Sequence, residues 1–188
     1  MWGGWAHGNS SIAYALFKLW HFSSEKRYYS AGVKALAYDQ SLLDKSRAFW
    51  NKTAFTKGDI HHSWGNGSAG IAMSRCLIAH YYKNEFMDIE IETAKNIIKN
   101  EIFKHNYTDH SIGSGLLGLI EICGMLDDTF PVKQVIESQF SQIRLTDYKY
   151  GGWNGNPIVT GLYYGLAGIG YNLIKLQHDN TLPSLLWI

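Results

Sequence analysis

At 188 residues, with 46% hydrophobic and 18% charged side chains, the chain can bury one sizeable core and is neither a disordered chain nor a coiled coil. A formal net charge of +1 gives no electrostatic case for nucleic acid or an anionic membrane surface as a partner. Met1–Trp5 lacks the basic start and apolar run of a signal peptide, and Cys76 and Cys123 lie inside apolar runs as reduced core thiols, so a cytoplasmic location is expected.

A glycine-rich turn at Gly8, with Ser11 three residues on, leads into Ile12, Ala15, Leu16, Leu19 and Trp20 at helical spacing. Ser23 or Ser24 ends that helix and can cap the next. The next carries Tyr28, Ala31, Ala35, Leu36, Tyr38, Leu42 and Leu43 up to about Asp44. Phe49 to Gly58 reads as a loop. The turn returns at Gly67 and Gly70, before an apolar helix from Ser68 to about Tyr82 and an amphipathic one from Asp88 to Lys104. It returns again at Gly115 and Gly118, before helices Leu116–Leu126 and Phe130–Arg144. The last copy, Gly165 and Gly168, opens a helix from Ala167 to about Gln177, followed by a tail. First glycines at 8, 67, 115 and 165 give intervals of roughly 59, 48 and 50 residues, the range of a repeat architecture.

Each unit is therefore an apolar helix covered by an amphipathic one, and no clear strand run interrupts the series. The fold class is all-α, with helical hairpins that either stack into a solenoid or close into a ring. The turn glycines permit tight packing, and helix N-termini also direct unpaired N–H groups toward the space the turns surround, which favours thiolates and carbonyl oxygens. From Gly151 to Ile174 there is no charge, but Pro157, three asparagines and many glycines argue against a membrane span.

Gly4-Trp5-Ala6-His7-Gly8 followed by Ile12-Ala13-Tyr14-Ala15-Leu16 resembles the G-x-A-H-G turn of the lanthionine synthetase C-like cyclases. Trp64-Gly65-Asn66-Gly67-Ser68-Ala69-Gly70-Ile71 resembles their W-C-x-G-x-x-G-I. Ile112-Gly113-Ser114-Gly115, with Glu121, resembles their L-C-H-G and following glutamate. Thr160-Gly161-Leu162, Gly165 to Tyr171 and Leu182-Pro183-Ser184-Leu185-Leu186 resemble the C-terminus of class II lanthipeptide synthetases. The resemblance implies a partial α/α toroid of helical hairpins joined by Gly-rich turns. Residues 1–188 would be the C-terminal portion of a cyclase domain, an incomplete toroid finished by a partner chain or a missing N-terminal segment.

Further, the resemblance implies lanthipeptide biosynthesis: a precursor-peptide thiol adds to dehydroalanine or dehydrobutyrine to form a thioether ring. The family holds zinc with two cysteines and a histidine, and these map onto Gly65, Gly113 and Ser114. No cofactor is expected here, since neither glycine nor neutral serine replaces those ligands. Class III lanthipeptide synthetases also lack them and form rings. A free thiol near pKa 8.5 is only a few per cent thiolate at pH 7, a deficit of roughly 2 kcal/mol that a base and helix N-termini can recover.

His7 is the candidate acid or base, the alternative being a structural histidine bonded to backbone. His62, with His61 beside it, approaches the same space or forms an exposed loop pair. Asn66 either donates to a developing oxyanion or caps its turn. Ser114 is a further accessory candidate. The competing function is a non-catalytic peptide- or partner-binding module. A carbohydrate enzyme on an α/α toroid would need paired carboxylates, and the turns offer Glu121 alone.

Overall fold

The computed structural model describes residues 2–44, 49–51, 53–55, 61–104, 107–144, 147–149, 159–178 and 182–186. Among them are seven helices: α1 (Asn9–Ser23), α2 (Lys26–Ser41), α3 (Ser68–Ile78), α4 (Glu85–Ile102), α5 (Leu116–Leu126), α6 (Val132–Phe140) and α7 (Leu166–Gln177). One short ladder joins them, β1 (Leu43–Asp44) antiparallel to β2 (Phe49–Trp50), with Leu43 opposite Trp50. The all-α expectation holds, and each expected helix is present, α5 with the ends expected and the others with shifted ends. None of these helices is long and apolar enough to cross a membrane. Much of the uncharged Gly151–Ile174 stretch, Pro157 included, lies outside the described residues.

Local chemistry explains the shifts. The helix expected to reach Asp44 stops at Ser41, where the Leu42 N–H turns back to the Asp39 carbonyl at 3.1 Å. Leu43 and Asp44 then pair with Phe49 and Trp50, residues expected in a loop. Ser24 does end α1, in a left-handed conformation (φ 57°), but it does not cap α2, whose N-cap is Glu25. Asn84 starts α4 early, its Oδ1 accepting from the N–H groups of Phe86 (3.0 Å) and Met87 (3.1 Å). Asp127 holds Thr129 in a turn, and Pro131 disfavours helix at Phe130, so α6 begins at Val132. Helix α3 tightens after Ile78, whose carbonyl takes the N–H groups of Tyr81 and Tyr82.

Two compact units divide the chain, Met1–Lys99 and Asn100–Ile188. In the first, α1 packs on α2 and α3 around Ala13, Phe17, Leu36, Ile78 and Met87. The Phe17 ring stacks on Tyr82 with centroids 4.5 Å apart. The apolar-inside pattern is fullest in α3, where nine residues from Ser68 to Ile78 are buried. In the second, α5, α6 and α7 pack mutually, burying Leu117, Ile120, Ile136 and Ile169.

Candidate functional site

His7 stands on a loop that the backbone closes. The Asn9 N–H donates to the Trp2 carbonyl at 3.0 Å, and Trp2 bridges Gly8. The same loop docks on the second turn: Trp5 N–H donates to Trp64 carbonyl (3.3 Å) and Ala6 N–H to Gly65 carbonyl (3.0 Å). Gly4 makes this approach possible. Its φ is +93°, and a Cβ there would stand 2.7 Å from Asn66 Cα. The His7 side chain is left exposed, its ring edge-on to Trp2 at 5.9 Å between centroids. The fold thus brings an accessible imidazole and the Asn66 turn together on one pinned corner.

The repeated glycines have a shared geometric cause. At Gly67, Gly115 and Gly165 a Cβ would fall 1.9, 2.6 and 2.4 Å from the carbonyl oxygens of His61, Asp109 and Val159. At Gly70, Gly118 and Gly168 it would fall 1.9, 2.0 and 1.6 Å from those of Trp64, Ile112 and Leu162. In every case the carbonyl belongs to the residue six positions earlier. The preceding loop therefore curls over the helix start and occupies the space of two side chains. It also takes the helix amides. His61, His62 and Ser63 carbonyls accept from Ser68, Ala69 and Gly70 at the start of α3, Asp109 accepts from Leu116, and Val159 from Leu166. This narrows the expectation of unpaired N–H groups facing the site: the loop satisfies the first three at α3 and the first at α5 and α7, so the start of α3 gives little help to a thiolate.

Asn66 lies against Gly4, with its own N–H on Ser63 Oγ at 3.4 Å and its Oδ1 buried without a hydrogen-bond partner. His61 and His62 are half-buried rather than an exposed pair, and His62 Nδ1 lies 3.3 Å from Ser68 Oγ at the α3 start. Ser114 belongs to the second unit. It is exposed and hydrogen-bonded to Asp109 Oδ2, with Ser111 Oγ at 3.4 Å.

Beneath the His7 loop lies a buried ionic cluster that sequence reading missed. Ser10, in the first turn of α1, bonds Asp39 Oδ2. Arg75, wholly buried, reaches the same oxygen at 3.3 Å and Glu90 Oε2 at 2.9 Å. Burial pushes the Asp39 carboxyl up to about 6, against the opposing pull of Arg75. The available signal was Arg75 itself, the one charge in the apolar run Ser68–Ala79. In the second unit, Glu121 is buried and paired with Lys175 at 2.9 Å, and Asn172 also donates to it. Glu121 thereby ties α5 to α7.

A family model described as Lanthionine synthetase C-like protein matches residues 3–187. The chain belongs to the lanthionine synthetase C-like family. Its helical hairpins are those of that family's α/α-toroid fold. No curated protein matched the chain.

The residues that the resemblance maps onto the family's zinc positions do not fit the metal. Gly65 and Gly113 have no donor side chain, and the Ser114 hydroxyl is engaged by Asp109. A Cβ at Gly113 would press to 3.0 Å from both the Tyr163 carbonyl oxygen and the Tyr164 ring. Among the described residues no group of three or more His, Cys, Asp or Glu is placed to hold a metal ion. Cys76 is half-buried in α3 and Cys123 buried in α5, and neither is in a disulfide. Burial, then Asp88, pushes the Cys76 thiol up, away from the thiolate a metal needs.

Proposed function

We propose that this lanthionine synthetase C-like chain closes thioether rings in lanthipeptide biosynthesis without zinc, with His7 carrying the proton. The observation behind this reading is the exposed imidazole fixed on the corner that joins the Trp2–Gly8 loop to the Trp64–Asn66 turn. In the reaction the peptide Cys thiol gives up its proton and its sulfur bonds to the β-carbon of dehydroalanine or dehydrobutyrine. The π pair moves toward the carbonyl as an enolate, and a proton returns to the α-carbon. Imidazole can take the first proton and supply the second near neutral pH. Since loop carbonyls occupy the Asn9 amide and the first three amides of α3, this proton transfer is the main catalytic resource of the corner. Asn66, His62 and Ser114 are accessory candidates. Two cysteines in no disulfide accord with a cytoplasmic location.

The motifs met here resemble those of a cyclase domain's C-terminal part. They support reading residues 1–188 as that portion, completed by further hairpins or a partner chain. A second reading, a non-catalytic module that binds the precursor peptide, is favoured by the glycines at positions 65 and 113.

A dehydrated precursor peptide, with the chain and any completing partner, tests both. Ring closure is followed by trapping free thiols and mass spectrometry, beside a control without protein. His7→Ala should slow closure by roughly 10²–10⁴-fold, the scale of a positioned acid or base, with peptide affinity little changed. His62→Ala should do less. Closure by the unsubstituted protein at the control rate, with measurable peptide binding, would establish the binding module instead. Full activity in His7→Ala would remove His7 from the reaction.

A further inference from the structure

One cavity of the second unit shares no residue with the His7 corner. It measures about 280 Å³ and is walled by Tyr107, His110, Gln142, Ile143, Asp147 and Lys149, among others. His110 is only 6% exposed. Two bonds clamp it: its N–H donates to the Lys149 carbonyl at 2.9 Å, and its ring Nδ1 accepts from the Lys149 N–H at 3.0 Å. Phe140 and Tyr148 fix the ring plane, with centroids 5.5 and 5.8 Å away.

That clamp decides the tautomer. An Nδ1 that accepts a hydrogen bond carries no proton, so the neutral ring keeps its proton on Nε2. Burial, reinforced by the Lys149 charge and opposed by Asp109, holds the ring below the ordinary histidine range and hence neutral. The Nε2–H is then an oriented donor with no hydrogen-bond partner among the described residues, in a side chain that lines the cavity. A protonated Nε2 cannot ligate a metal. It is left to donate to an acceptor that enters the cavity.

We propose that this cavity binds the carboxamide of an Asn or Gln side chain of a peptide ligand. The wall carries one ammonium, Lys149, whose Nζ donates to the Tyr107 carbonyl at 2.8 Å, and one carboxylate, Asp147. A carboxylate ligand would meet Asp147 and an ammonium ligand would meet Lys149. A neutral carboxamide suits both: its oxygen accepts from His110 Nε2–H, and its NH₂ donates to Asp147, whose carboxylate has several acceptor sites. The volume lies just under the range of about 300–1,000 Å³ usual for small-molecule pockets, so it suits one side chain. The site stands independently of ring formation, because it uses neither His7 nor the zinc positions.

The test is a nitrogen-15 NMR titration of the whole chain, following the His110 Nε2 resonance. The probes are N-acetyl-glutamine methylamide and its isostere N-acetyl-glutamate methylamide. The glutamine probe should shift that resonance saturably, with a dissociation constant at least about fivefold below that of the glutamate probe, the effect of one close like-charge contact. Asp147→Asn should erase the preference while the glutamine probe still binds. An Nε2 resonance unmoved by the glutamine probe would overturn the proposal, as would equal binding of the two probes to the unsubstituted chain. Persistence of the preference in Asp147→Asn would also overturn it.

Discussion

Replacing Arg75 by Met should expose how much the first unit depends on its buried charges. Arg75 is fully buried and makes four polar contacts: Nε to Glu90 Oε2 (2.9 Å), Nη2 to Glu90 Oε1 (3.4 Å), Nη1 to Asp39 Oδ2 (3.3 Å) and Nη1 to Ser74 Oγ (3.1 Å). Methionine fills much of the volume and removes the only cation of the cluster. Two buried carboxylates then face each other without compensation. Breaking such a pair costs about 3–5 kcal/mol, a large share of the roughly 5–15 kcal/mol that holds a domain together. Asp39, already at about 6 beside Arg75, rises further in the variant and takes up a proton. Glu90 bears the remaining penalty at pH 7. At pH 5 Asp39 is protonated with or without Arg75, so the deficit relative to the unsubstituted chain should shrink by about 1 kcal/mol. Urea unfolding read by tryptophan fluorescence is suitable, since Trp2, Trp5, Trp20, Trp50 and Trp64 all lie in the first unit. The midpoint should fall by about 1 M or more at pH 7. Adding Asp39→Asn and Glu90→Gln to Arg75→Met should restore part of the loss. A loss under about 1 kcal/mol at pH 7, or one equal at both pH values, would refute the claim that paired charges hold this cluster.

Other substitutions test separate parts of the structure. Asp39→Asn should flatten the pH dependence of stability. A carboxyl raised from 3.8 to about 6 contributes stability that is full below pH 3.8 and is lost as pH rises through about 6, roughly 3 kcal/mol over the window. An unchanged slope between pH 4 and pH 6 in the variant would contradict this. Gly4→Ala should cost at least about 1–2 kcal/mol in thermal unfolding, from positive φ alone, because its Cβ also meets the Asn66 backbone. It should slow ring closure with His7 intact, and normal closure would detach the corner from the chemistry. Elemental analysis of protein purified without any chelator should find well under one zinc per chain, and one bound zinc per chain would overturn the assignment of the ligand positions to Gly65, Gly113 and Ser114.

The helices were legible because their apolar spacing is regular and their turns repeat. The Ile12–Trp20 and Leu116–Leu126 readings came close to α1 and α5, the latter matching α5 end to end. Ends set by single side chains were not legible. Asn84, Pro131 and the Leu42 backbone act through local geometry that periodicity does not encode. The His7 loop was found from its motif, but its docking on Gly65 is a contact across nearly sixty residues that only the fold reveals. The assumption of open helix amides failed at α3 for a related reason. Glycine at a helix start shows that something comes close, not what comes close, and here it is the chain's own carbonyl oxygen. The two buried ionic clusters were hidden because one charge among apolar residues names no partner: Arg75 meets Asp39 thirty-six positions away and Glu121 meets Asn172 fifty-one positions away.

Because each corner is closed by loop carbonyls lying where two side chains would be, its architecture is written in backbone and in missing atoms. Gly65 takes part through its carbonyl and the Ser114 side chain is exposed, so the side chains at these two positions can change with little effect on the closure, whereas a Cβ at Gly113 would crowd Tyr163 and Tyr164. The scaffold and the chemistry it carries can then drift at different rates. In this design a reaction can be lost, weakened or replaced while the hairpins stay recognisable, and the same freedom lets new side chains be tried at an old corner.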